Sequence, residues 1–432
     1  CQRQCEGRRP EARMSEGTHR PTELGRALML AVGFEHVEEL DANNYRVTPS
    51  STAEVAEVIR RAGTHKAAVH PLGAGGRPQR GADPSRPRVF ISTRRLDQVL
   101  QLDEMSLLVH AQAGLTGLEL ERILAPRGLS LGDYPPVVLT SSLGGIIAVR
   151  TPGKSSARHG FFEDAVVGVS AVLADGRTVH TRVAPRRSTG PDLARALCGS
   201  EGTIGFLTSA VLRIHKKPEA RLVAAYLLPT IDAAISAVYL ALREEAAPSG
   251  LRIYDAAEAA LHFEPLTLPP NSALLCAATA GPTDLCACDR DLITSAVIAE
   301  GGSTTEIAFA DLWWRRTHAG EPSPGPSPSL QVMATPSKLR PVYRAVLEHA
   351  RAAKLTVRAH VSRFDADGAV LFFTLLEGAE PASAEIVAEC ERIAGAAGGW
   401  LVGARATKLD VYLRALRDAI DPDRIMNPGT LA

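Results

Sequence analysis

The run Pro71-Leu-Gly-Ala-Gly-Gly-Arg-Pro-Gln-Arg-Gly-Ala82 constrains this chain more than any other segment. Four glycines fall within positions 73–81, directly after the short apolar run Ala67–His70. Glycine accepts left-handed backbone conformations, so such a turn can aim successive N–H groups at one anion. Two familiar phosphate-binding loops are nevertheless excluded. No Gly-Lys-Ser/Thr closes the run as in a P-loop, and Pro78 stands where a dinucleotide fingerprint needs its third glycine. Read alone, the run is equally an ordinary glycine-rich turn.

Three later segments repeat the pattern. In Pro135–Ala148 the hydroxyls of Thr140, Ser141 and Ser142 come just before the Gly144-Gly145 pair, offering side-chain and backbone donors in close packing. Gly199-Ser-Glu-Gly-Thr-Ile-Gly205 has three glycines in seven residues and enters the apolar run Phe206–Ile214. The chain closes on Asp421-Pro-Asp-Arg-Ile-Met-Asn-Pro-Gly429. Each is individually a turn.

The stretches between them read as mixed short elements. Ser51 and Glu54 have capping-box spacing ahead of Val55, Val58, Ile59 and Ala62, which predicts a helix over 51–65. Strands are predicted at 89–92, 107–113, 166–173 and 178–183, the last two joined by the hairpin dipeptide Asp175-Gly176, and a short helix at 117–124. Without regular strand–helix alternation the fold class is α+β. Past Lys216-Lys217-Pro218 a second unit opens with a strand at 222–228 and helices at 231–243, 338–353 and 382–394. Four prolines between 322 and 328 keep the span Gly320–Ser329 out of packed structure, as a mobile loop over a site or as a plain surface connection.

A length of 432 residues predicts two domains, and 45% hydrophobic with 22% charged residues describes a globular chain. Its 48 Lys+Arg balance 48 Asp+Glu, which removes the electrostatic case for a nucleic-acid or polybasic-membrane partner. Only 7 of those basic residues are lysine, a bias that together with the many alanines reads as GC-rich bacterial coding. No apolar run reaches the roughly 18 residues of a membrane helix. Seven cysteines, with only the isolated pairs Cys1/Cys5 and Cys286/Cys288, indicate neither a disulfide framework nor a metal site. The first 13 residues are polar and basic, lack a signal peptide's apolar core, and read as a disordered extension with Met14 as a candidate start. The cytoplasm is the expected compartment.

Taken in order and spacing, the four glycine segments resemble the FAD-linked oxidases of the vanillyl-alcohol-oxidase type, with a PCMH-type FAD domain. The resemblance implies a two-subdomain FAD-binding domain over 40–217 and an α+β cap over 218–412. An extension and leading helix precede them over 1–39, and a return to the FAD domain follows over 413–432. It also implies FAD as cofactor. The pyrophosphate would lie against Pro71, Gly73, Ala74, Gly75, Gly76, Arg77, Gly81 and Ala82. Pro135, Thr140, Ser141, Ser142, Gly144, Gly145, Ala148, Arg150 and His159 would lie beside the flavin, and Glu201, Gly202, Ile204 and Asn427 would complete the cradle. Members that link FAD covalently through the pyrophosphate loop carry histidine where Gly76 aligns, and 71–82 contains none, so the flavin is expected to be held without a bond.

Finer likeness points to the alkyldihydroxyacetonephosphate synthase branch. Arg150-Thr-Pro-Gly153, His159-Gly160, Glu163-Asp164, Ser188-Thr-Gly-Pro-Asp192 and Leu251-Arg-Ile-Tyr-Asp255 all resemble it. There the arginine matching Arg252 is thought to meet a phosphate, a role that suits a guanidinium fork. A surface ion pair of Arg252 with Asp255 or a nearby acid is the alternative. Arg315 and Arg316, beside Trp313 and Trp314, are further candidates for the substrate entrance.

The resemblance breaks at the acid–base machinery. Where relatives carry Glu-His or a run of histidines, this chain reads Gly398-Gly-Trp-Leu-Val-Gly-Ala-Arg405. Arginine cannot serve as a base, though Arg405 can bind an anion. The branch's Tyr-Asp-Ala-Gly-like tyrosine becomes Phe364, and a downstream aromatic position holds Phe372. His360 and His159 remain as candidate bases. The expected function is an FAD-dependent oxidoreductase acting on a small anionic hydroxylated substrate. A synthase-like transferase and a non-catalytic FAD-binding paralogue stand as alternatives. A small molecule is the expected partner, and the resemblance leaves a homodimer open.

Overall fold

The computed structural model describes residues 22–74, 85–132, 134, 136–151, 156–184, 190–264, 268–318, 328–402 and 411–431. Besides a two-stranded pair of Leu129–Ser130 with His215–Lys216, three larger sheets organise these residues. The first orders its strands Val37–Asp41, Asn44–Val47, Arg88–Ser92 and Ala68–Leu72. The last three run parallel, with helix Thr52–Thr64 between the second and fourth of that order. The sequence pattern does not announce this parallel unit. Its strands are only four or five residues long and too short to show the continuous apolar run of a parallel strand.

The helix itself starts on Ser51, whose side chain accepts from the Glu54 N–H. The expected reciprocal bond is displaced by one residue, because the Glu54 carboxylate accepts from Ser50 N at 2.7 Å. Val55, Val58, Ile59 and Ala62 are buried against the sheet as their spacing predicts.

The second sheet is antiparallel, ordered Val99–Asp103, Leu108–Gln112, Phe206–Arg213, Val166–Val172 and Thr178–His180. The Asp175-Gly176 hairpin forms, with Gly176 at φ +79°.

The third sheet runs Ser303–Thr304, Ala220–Leu228, Ala273–Gly281, Gly250–Asp255, Thr356–Ser362, Ala369–Glu377, Leu330–Ala334 and Trp400–Leu401, all antiparallel. Alternation along its strands assigns the two faces. Leu251, Ile253, Ala359, Val361, Leu371 and Phe373 enter the largest apolar core, under helices Ile231–Arg243, Pro336–Ala352 and Ala384–Ala396. Their neighbours Arg252, Tyr254, His360, Ser362 and Phe372 are therefore turned to the opposite face. That face is where polar chemistry can sit.

No helix among the described residues is long and apolar enough to cross a membrane.

Candidate functional site

The glycine segments meet. Gly73, just past strand Ala68–Leu72, lies so near Ser142 that a Cβ there would stand 2.4 Å from Ser142 Oγ. Ser142 caps helix Leu143–Ala148, its hydroxyl accepting from Gly145 N at 3.3 Å, while Gly144 N donates to Ala113 O at 2.8 Å. Ala148 O accepts from Glu201 N at 2.9 Å, which ties the second segment to the third. Gly202 holds φ +77° with Pro71 Cγ 2.7 Å from a notional Cβ. Ile204 is buried in the second sheet's core.

The C-terminal segment closes the ring. Asn427 Nδ2 donates to Glu201 O at 2.6 Å, its Oδ1 lies 3.1 Å from His70 Nδ1, and its backbone N–H donates to Val69 O at 2.8 Å. Asp421 enforces that return: fully buried, it accepts from Ile425 N and Met426 N at 2.9 and 2.8 Å. Arg150 braces the 195–199 segment by donating from Nε to Cys198 O at 3.0 Å. Thr140 and Ala74 are exposed at the rim, and Ser141 is half-buried. Gly75, Gly76, Arg77, Gly81, Ala82 and Pro135 lie outside the described residues.

This cradle fits a polar, extended cofactor. Backbone approaches side chain closely at Gly73 and Gly202, and two buried polar atoms, His70 Nε2 and Ser200 Oγ, have no partner among the described residues. Buried polar groups are normally satisfied, so such orphans call for a ligand or ordered water. Gly202→Ala is expected to lower the flavin absorbance per protein of the purified protein. Alanine at positive φ costs about 1–2 kcal/mol before the clash with Pro71 is added.

A second group assembles on the open face of the third sheet. His360 pairs in register with Tyr254 and with Phe372, and its ring stacks on Phe372 at 4.6 Å between centroids and 11° between planes. Its Nδ1 lies 3.3 Å from Glu258 Oε1, and His262 Nε2 reaches the same oxygen at 3.2 Å. Burial, then the Arg252 charge, hold the His360 imidazolium pKa down to about 4. For Glu258, burial works to raise the carboxyl pKa, but hydrogen bonds from His262 and His360 outweigh it and the net shift is downward.

Arg252 stands one pleat away, opposite Ser362, with Nη1 at 3.3 Å from Tyr254 Oη. No ion pair joins it to a carboxylate of the described residues. Asp255 does not supply one. Its Oδ1 accepts from Glu258 N and its Oδ2 from Ala359 N, both at 2.8 Å. Arg363, at φ +58°, sits 5.0 Å over the Phe372 ring, and burial lowers its pKa to about 10.

Other candidates are placed elsewhere. His159 stacks on His215 at 3.9 Å between centroids, and burial lowers its pKa to about 4. Both rings line a cavity of about 270 Å³ with Arg158, Lys216, Ser249 and Gly281. His159 makes no ring contact or hydrogen bond with His360 among the described residues. Arg315 is exposed. Arg316 instead donates to His262 O, fastening helix Ile307–His318 to helix Ala256–His262. Trp313 is buried in an apolar cluster with Phe263, and Trp314 lies under the Arg221 guanidinium at 4.4 Å. Phe364 belongs to the helix-covered core, so the aromatic on the His360 face is Phe372. Ala404 and Arg405 lie outside the described residues, as do residues 319–327 of the proline-rich span.

Comparison with known proteins matches residues 43–182 to the family described as "FAD binding domain" and residues 217–404 to "FAD linked oxidases, C-terminal domain". The chain belongs to the FAD-linked oxidases. FAD is its cofactor, the matched domains are those of FAD-dependent enzymes, and the fold is of the PCMH-type α+β class. An alkyldihydroxyacetonephosphate synthase of Dictyostelium discoideum is 33% identical over 220 residues, covering 50% of this chain and 36% of that protein. The glycolate oxidase subunit GlcD of Bacillus subtilis (strain 168) is 27% identical over 274 residues, covering 61% and 58%. This chain thus spans less than two thirds of the length of either relative. Among solved structures, an alkyldihydroxyacetonephosphate synthase superposes with TM-score 0.68 at 23% identity, covering 89% of this chain and 76% of the other. The 4-ethylphenol oxidase from Gulosibacter chungangensis superposes with TM-score 0.69 at 15% identity, covering 95% and 96%. Both share the fold.

Sequence reasoning missed Glu258, His262, Arg358 and Arg363. Glu258 and His262 have i,i+4 spacing on one helix face, the one local signal that could have drawn them in. Arg358 and Arg363 had none.

Proposed function

We propose that the protein oxidises a small hydroxylated anion, with Arg252 as anchor for the anionic group and His360 as acceptor of the hydroxyl proton. The observation that carries this reading is their placement on one face of the third sheet: an arginine without an ion pair among the described residues, one pleat from a buried histidine. A guanidinium fork suits a carboxylate or phosphate. A histidine whose pKa is held to about 4 is neutral at pH 7, the form a base requires. FAD, when bound, supplies a two-electron acceptor that takes hydride at N5. Gly73, Ser142, Gly145, Glu201, Gly202 and Asn427 would hold it.

Anaerobic mixing with D-lactate, glycolate or glycerol 3-phosphate tests the reading. Bleaching of the flavin by one of them is expected, and an unchanged spectrum with all three would count against it. The synthase relatives favour a second reading, a transferase without net redox change. Phe372 offers no hydroxyl beside His360, and no ether product is expected from acyl-dihydroxyacetone phosphate and a fatty alcohol. Robust ether formation would reverse the order of the two.

The flavin is held without a covalent bond in this reading. Acid or heat precipitation should leave a colourless pellet and all the flavin in solution; yellow colour in the pellet would refute it.

A further inference from the structure

We propose that Glu258 is a positioning residue for His360: its Oε1 holds the imidazole in the Nδ1–H tautomer and leaves Nε2 as the proton acceptor on the face shared with Arg252. The inference rests on the reading of His360 as the base. It concerns a residue that neither the glycine motifs nor the sequence likeness points to.

The geometry is built from the helix outward. Strand Gly250–Asp255 passes directly into helix Ala256–His262, and Asp255 is the helix's N-cap. One oxygen of Asp255 takes the Glu258 N–H, and the other takes the Ala359 N–H on the strand that carries His360. A single buried carboxyl thus sets the spacing between the backbones of Glu258 and of the residue before His360. Arg316 fastens the far end of the helix through His262 O. With both ends fixed, Glu258 is brought to His360 Nδ1 at 3.3 Å.

Glu258 is a buried carboxylate, 5% exposed. Such a charge needs partners, and it has His360 Nδ1, His262 Nε2 and the more distant Arg358, whose Nε lies at 4.0 Å. An anionic acceptor on Nδ1 selects the tautomer protonated there, since a carboxylate can accept but not donate. His360 Nε2 makes no hydrogen bond among the described residues and is not among the sealed, unpartnered atoms. The ring cannot drift, because Phe372 stacks on it. A histidine held this way accepts a proton at Nε2 while the carboxylate stabilises the imidazolium that forms. The charged and titratable groups around the ring are Arg252 and Tyr254 from one neighbouring strand and Glu258 and His262 from the helix, with Arg358 of its own strand near Glu258 and Arg363 over the Phe372 ring that stacks on it.

The test reads the tautomer directly in FAD-loaded protein labelled with ¹⁵N-histidine, through two-bond ring correlations at neutral pH. The His360 signals are identified by their loss in His360→Gln. The wild type should show Nδ1 protonated and Nε2 bare, with a downfield Nδ1 proton. Glu258→Leu should shift the ring toward the Nε2–H form that free histidine prefers. Should Glu258→Leu fail to fold, Glu258→Gln keeps the shape and removes the charge, and the Nδ1 proton should move upfield. His262→Gln should leave the His360 pattern as in the wild type. With a substrate that bleaches the flavin, Glu258→Leu should slow bleaching on the order of 10²-fold, with little change in the concentration needed for half-maximal rate. A wild-type His360 protonated at Nε2, or a His360 spectrum unmoved in both Glu258 variants, overturns the proposal. Failure of every substrate probe would instead count against the oxidoreductase reading, while the histidine spectrum still decides the role of Glu258.

Discussion

His360→Gln is expected to slow anaerobic flavin reduction by about 10²–10⁴-fold, the usual contribution of a positioned general base, with FAD content unchanged. Content should hold because His360 lies on the third sheet, whereas the cradle is built from the 71–74, 142–148, 199–204 and 427 segments. The wild-type rate should also report the base through pH. Burial and Arg252 place the imidazolium pKa at about 4, so the neutral form predominates above that value. Reduction should stay level from neutral pH down to about 5 and fall as pH drops through 4. A rate limb near 6.5, the ordinary histidine value, would mean that the buried ring is not the group that titrates. Unaltered reduction in His360→Gln would remove it from the mechanism outright.

Arg252→Met is expected to raise the substrate concentration needed for half-maximal flavin reduction. A hydrogen bond to a charged group contributes about 1.5–3 kcal/mol, which corresponds to roughly 10- to 150-fold. Methionine preserves much of the aliphatic stem, so the strand and its neighbour Tyr254 should remain packed. The flavin spectrum and melting temperature of the variant should therefore match the wild type. The like-charged Arg363 nearby sharpens the prediction: two guanidinium groups without ion-pair partners among the described residues favour an anion between or beside them. If Arg252→Met left the half-maximal concentration unchanged, the anion would have to be held elsewhere.

Much of the cofactor end is legible in the amino-acid sequence alone. Glycine-rich turns reveal themselves locally because the residue type and the backbone requirement coincide. Gly73 and Gly202 are glycine since a Cβ would meet Ser142 and Pro71, and Gly202 also needs positive φ. The helix over 52–64, the hairpin at 175–176 and the helix at Gly117–Leu124 are equally readable, since caps, periodicity and turn residues act within a few positions. The expected departure at Ala404 and Arg405 falls outside the described residues.

The proposed substrate end is not legible in the same way, and only the tertiary structure brings its residues together. Glu258 and His360 are 102 positions apart, and nothing local marks them as partners. Their meeting depends on strand Gly250–Asp255 pairing with strand Thr356–Ser362 and on Asp255 fastening the intervening helix to that strand. Asp255 shows the limit most clearly. In the sequence it stands three residues after Arg252 and offers one possible ion-pair partner; in the fold its two oxygens are taken up by backbone N–H groups, and Arg252 is left without it. Phe364 and Phe372 show the same limit from the apolar side. Strand register sets Phe372 on His360, whereas Phe364, two residues past strand Thr356–Ser362, enters the helix-covered core. Sequence by itself determined the family, the cofactor and the glycine-rich turns, because those depend on backbone conformations that particular residues permit. Which acids, bases and arginines share a face was decided by strand register, a property of pairing between distant segments that no single segment encodes.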